Sequence, residues 1–143
     1  MVTKLLNILF ADMIKSNQIL MKLKQREDHE LKSEIRNMFQ VITHKYAGNI
    51  ARIIGQGYLI TFESPTDSVL CALQIQNRIN NWRHQNKNID IRFRMGLNIG
   101  EVGIDQEGGL SGEAVPIAVF VASCCEPGGV CISTATYHAM NKA

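Results

Sequence analysis

No stretch of this chain comes near the roughly 18 to 20 consecutive apolar residues that a membrane-spanning helix needs, so the sequence offers no transmembrane segment and no membrane contact of its own. Residues 1–10 carry one basic residue before a short apolar run that meets Asp12, and no small-residue cleavage pattern follows, which argues against a secretory leader. An excess of one charge is also missing. Fifteen Lys and Arg against thirteen Asp and Glu give a formal net charge of +2, scattered along the chain, which excludes a basic nucleic-acid face. The mixed-sign run over 22–32 reads as a solvated helix face. Cys71, Cys124, Cys125 and Cys131 form no C-x-x-C and no Cys/His ligand spacing. That argues against a zinc site and for reduced, buried thiols in a cytoplasmic protein.

What is present fits one domain over residues 1–143, with 45% hydrophobic and 20% charged residues. Leu5 to Ala11 make a mostly apolar run ending at Asp12, the pattern of a strand buried on both faces with a carboxylate at its carboxyl end. The same acid has a plain alternative role as cap of the helix that follows. From Met13 to Tyr46 the spacing turns helical, and the polar stretch 24–30 predicts a break into two helices. Residues 49–54 and 58–62 flank Gly55-Gln56-Gly57, a hairpin signal whose tip carries a neutral amide.

Ser64, Pro65 and Asp67 mark a helix start, with an apolar face from Val69 to Trp82. Ile91, Phe93, Met95, Leu97 and Ile99 alternate with Arg92, Arg94, Gly96 and Asn98, predicting a strand with one face under helices and one more polar. After a polar, glycine-rich loop over 103–109, Ala114 to Cys125 is apolar nearly throughout. This reads as a helix that either begins at about Val115 with Pro116 in its first turn or is kinked at Pro116 at a cost of ~3 kcal/mol, and the lack of a polar face predicts burial all round. Residues 130–133 predict a short strand, and 134–142 a final helix.

Six collinear pieces carry a resemblance: 9–12 (Leu-Phe-Ala-Asp), 52–57 (Arg-Ile-Ile-Gly-Gln-Gly), 62–69, 94–102, 112–118 and 126–133. Together the chain resembles the class III adenylate/guanylate cyclase catalytic domain. The resemblance implies an α+β fold with a ferredoxin-like βαββαβ core sandwich, short of the strand pair with which the family usually continues. It also implies a homodimer, or a heterodimer with another cyclase domain, with active sites at the interface.

In the family, cyclisation of a purine nucleoside triphosphate uses two divalent ions, Mg²⁺ or Mn²⁺, held between two aspartates. One metal position matches Asp12, and its partner position holds Gln56, whose single neutral carbonyl weakens such a cage. The base-reading lysine position is Arg52, and the base-reading acid position falls at Gly109. The transition-state asparagine and arginine positions fall on Pro116 and Phe120, which offer neither a donor nor a charge. A glycine beside the triphosphate is replaced by Lys15, a phosphate ligand or a solvated cation. The resemblance therefore implies a cyclase-like pseudoenzyme that dimerises and regulates within cyclic-nucleotide signalling. The alternatives are an active cyclase working as half of a heterodimer, and a ligand sensor using Asp12, Lys15 and Arg52.

Overall fold

A computed structural model of the chain describes residues 2–14, 25–86 and 89–141. The elements run β1 (Val2–Ile14), α1 (Gln25–Lys45), β2 (Asn49–Ile54), β3 (Gly57–Phe62), α2 (Pro65–Gln85), β4 (Arg92–Ile104), β5 (Leu110–Ser111), α3 (Ala114–Ser123), β6 (Val130–Ile132) and α4 (Thr134–Asn141). The first six give the expected βαββαβ order of an α+β fold. One sheet follows the order β2-β3-β1-β4-β5, with β6 pairing parallel to β4. Its centre is the antiparallel β1–β4 pair, in register from Val2 opposite Ile104 to Ile14 opposite Arg92.

Strand alternation sorts the core into two layers. Leu9, Ala11, Tyr58, Ile60, Phe93, Met95 and Leu97 face α1 and α2, meeting Ile35, Phe39, Ala72 and Ile75 in the larger cluster. Leu6, Ile8, Leu59 and Val102 face the other way and meet Ala114 and Ala118 of α3. Leu6 to Leu9 are thus buried consecutively, as a two-sided strand requires.

α2 begins where its signals place it. Ser64 Oγ accepts from the Asp67 backbone N–H at 3.2 Å, and Pro65 is the first helical residue. α3 starts at Ala114 with Pro116 in its first turn, the first of the two readings, so the proline interrupts no helical hydrogen bond.

Three expectations are corrected. The polar stretch 24–30 does not separate two helices, because α1 starts at Gln25 and runs through it, with Glu27 and Asp28 in its first turn. The helix expected before it falls on residues 15–24, outside the described residues, and Met13 belongs to β1. The helices do not lie over one face of β4 only: α3 covers the more polar face as well, and Asn98 is buried. The thiols are not uniformly buried either. Cys71 and Cys125 are, Cys131 is half-buried and Cys124 is exposed, all four free.

Candidate functional site

Gly55 and Gln56 are the two residues of the β2–β3 turn, closed by Ile54 opposite Gly57. Gly55 takes φ +59, the left-handed value that the first position of a tight hairpin turn demands and glycine adopts without strain. The turn lies outside the strand alternation, so pattern alone does not aim the Gln56 side chain. In the structure it lines a cavity of about 420 Å³ together with Met13, Lys32, Ile35, Arg36 and Tyr58, on the α1 side of the sheet. Its Oε1 is buried and has no hydrogen-bond partner among the described residues. Burial raises the Tyr58 hydroxyl above its ordinary pKa of 10.0, and the Arg36 guanidinium beside it, hydrogen-bonded to the phenol, works the other way.

Asp12 lies on the opposite face. It alternates with Ala11 and Met13, shares the parity of Leu6 and Ile8, and stands exposed directly across from Arg94. Arg94 is a site residue that the sequence reading did not single out. It is half-buried on the α3 side of β4, and its Nε is buried without a partner among the described residues. Its signal was available: strict alternation puts 94 on the same face as Gly96 and Asn98, opposite the acid. Arg52 follows an irregularity in the β2–β3 register at Ile50/Arg52 and pairs with Leu59, which faces α3; its side chain is exposed. Asp12, Arg52 and Arg94 therefore share one face, and Gln56 is turned to the other.

At α3 the structure overturns the expected burial all round. Only Ala114, Ala118 and Ala122 are buried, a single stripe spaced by four residues. Pro116 is exposed, and so are Ile117 (43%), Val119 (39%) and Phe120 (57%). No residue from Ala114 to Ser123 carries a charge. Gly109 closes the loop after β4: its N–H and that of Glu107 both donate to Asp105 Oδ1, at 2.7 and 2.9 Å. That carboxylate is thus occupied by its own loop. Lys15 lies outside the described residues.

A pair of divalent ions gripped from Asp12 and the hairpin tip does not fit these residues. The tip offers an amide aimed away from Asp12, and among the described residues no group of three His, Cys, Asp or Glu is placed to hold a metal. Among the described residues no helix is long and apolar enough to cross a membrane.

Residues 3–143 match the family described as the Adenylate and Guanylate cyclase catalytic domain. The chain is 24% identical over 134 residues to Putative adenylate cyclase 3 of Rhizobium meliloti, covering 91% of this chain and 22% of that protein's length. It is similar to the crystal structure of an adenylate/guanylate cyclase/hydrolase from Silicibacter pomeroyi, with 26% identity, a TM-score of 0.86, and 99% and 82% of the two chains covered. The adenylyl cyclase CyaB from P. aeruginosa has a TM-score of 0.86 at 22% identity, over 99% of this chain and 83% of its own; this last likeness is one of fold.

Proposed function

This chain belongs to the adenylate and guanylate cyclase catalytic domain family, and from that premise we propose that it is a non-cyclising member that works in cyclic-nucleotide signalling as a dimerisation and regulatory domain. The observation that carries the reading is α3. Its uncharged, outward-facing apolar side occupies the place where the resemblance requires a ribose-orienting amide and a phosphate-neutralising guanidinium. Loss of one preorganised donor of that kind costs about 10²- to 10³-fold in rate, and Pro116 and Phe120 supply neither. The inward turn of Gln56 supports the same reading, since the hairpin tip offers Asp12 no second carboxylate. An exposed apolar helix face is better matched to a partner's hydrocarbon than to a triphosphate. The occupant we propose is another cyclase-type domain, identical or not, in a cytoplasmic setting.

The test is a cyclase assay on the purified 143-residue chain with ATP and with GTP in manganese. The expected result is no cyclic product, with or without added Asp12→Ala chain as a reference for background. Turnover that Asp12→Ala abolishes would replace this reading with that of an active cyclase.

A further inference from the structure

The cavity under the hairpin tip has a chemistry of its own, independent of whether the opposite face cyclises a nucleotide. At about 420 Å³ it falls within the ~300 to 1,000 Å³ range of small-molecule sites. Met13, Ile35 and Ile53 give it apolar walls, backed by the Tyr58 ring, which stacks on Phe39 with centroids 3.9 Å apart. Lys32 and Arg36 lie four residues apart on α1, so both cations project to the same side. Asp28 already holds Lys32 at 2.9 Å, whereas Arg36 forms no ion pair among the described residues. The local balance of Lys32, Arg36 and Asp28 is one positive charge in excess, suited to a monoanion. Gln56 Oε1, buried without a partner among the described residues, is an acceptor for which those residues supply no donor. Such groups are rare because the desolvation loss goes uncompensated, and a donor arriving with a ligand restores it.

We propose that this cavity binds a small organic carboxylic acid with an apolar body: the carboxylate on Arg36 and Lys32, the body against Met13, Ile35 and Ile53, and one N–H or O–H donating to Gln56. A doubly charged phosphomonoester is a poorer match, since it brings more charge than the wall neutralises. The occupant touches the turn that joins β2 to β3, so its presence is communicated to the hairpin tip.

The probe is indole-3-acetate, which has the carboxylate, the apolar ring and one N–H. Titration into the unmodified chain, followed by amide NMR shifts and calorimetry, is expected to give saturable binding with a Kd of about 1 mM or tighter, with shifts centred on Lys32, Arg36 and residues 53–58. The neutral indole-3-acetamide and the donor-less 1-methylindole-3-acetate are each expected to bind about tenfold more weakly, the cost of one charge-assisted or one buried hydrogen bond. Ile53 is 40% exposed, so Ile53→Trp fills the mouth of the cavity without disturbing the core and is expected to abolish binding. Gln56→Leu is expected to remove the difference between the acid and its N-methyl analogue. Absence of saturable shifts up to about 10 mM overturns the proposal, as does equal binding of acid and amide, or binding indifferent to Ile53→Trp.

Discussion

Gly96 is where α3 rests on the sheet, and the contact leaves room for a hydrogen atom only. A β-carbon there would lie 2.2 Å from the Ala122 backbone nitrogen and 2.5 Å from the Ala118 carbonyl oxygen, and a helix backbone does not yield as a side-chain tip does. Gly96→Ala is therefore expected to cost about 3 kcal/mol, at the upper end for overpacking, as read by urea denaturation; a loss under about 0.5 kcal/mol would show that α3 is not seated as described. The thiols differ just as sharply. Cys71 is fully buried, and burial pushes its pKa from 9.0 up to about 11, while Cys124 is exposed. Iodoacetamide at pH 8 should label Cys124 first and leave Cys71 unmodified until the chain unfolds, as peptide mass spectrometry would read. The pH dependence follows from the direction of that shift. The unfolded thiol ionises first, so the contribution of Cys71 to stability is intact below about pH 9 and is lost as pH rises through about 11. A chain with Cys71→Ser should lack that part of the alkaline decline.

Among the elements, α3 separates what was legible from what was not. Its start and length follow from local chemistry, a proline in the first turn and a Glu-Pro-Gly-Gly stop, and local chemistry is what a sequence displays. Its burial depends on what lies above it. A helix apolar on every side reads as enclosed, yet one flank of this chain's α3 has no covering element among the described residues. The small residues at 114, 118 and 122 were the clue to the single contact stripe. The start of α1 is hidden for a related reason: its polar opening turn is an acidic N-terminus suited to the helix dipole, which pattern alone does not distinguish from a break. The apolar flank gives a direct test of the dimerisation reading. Phe120 is 57% exposed, so Phe120→Glu should change the monomer's stability by no more than about 0.5 kcal/mol. The same substitution should shift the chain to monomer in sedimentation equilibrium, because a carboxylate would have to be desolvated at the contact. Self-association unchanged by Phe120→Glu would place the partner surface elsewhere.

For the molecule as a whole, the β1–β4 ladder is the shared wall of two unequal layers, and Asn98 joins the smaller layer together. The alternation puts Asn98 on the more polar face of its strand. The structure buries it to 4% exposure under α3, where both ends of its amide are used. Nδ2 donates to the Ala114 carbonyl at 3.1 Å, and Oδ1 accepts from the Ser133 hydroxyl at 2.7 Å. That hydroxyl also accepts the Thr136 N–H at the start of α4. One side chain on the central strand thus ties down the first turns of two helices that lie 16 and 35 residues further along the chain, a long-range coupling that no local pattern could announce. Asn98→Leu keeps the volume roughly constant but removes two buried hydrogen bonds, one to the Ala114 carbonyl and one from the Ser133 hydroxyl, which should cost about 1 to 3 kcal/mol. The distribution of the loss is the sharper test. Hydrogen exchange should speed up at the amino-terminal turns of α3 and α4 together, while α1 and α2, packed on the opposite layer, keep their protection. Equal acceleration in all four helices would mean that the two layers open as one unit and that Asn98 holds no separate part of the fold.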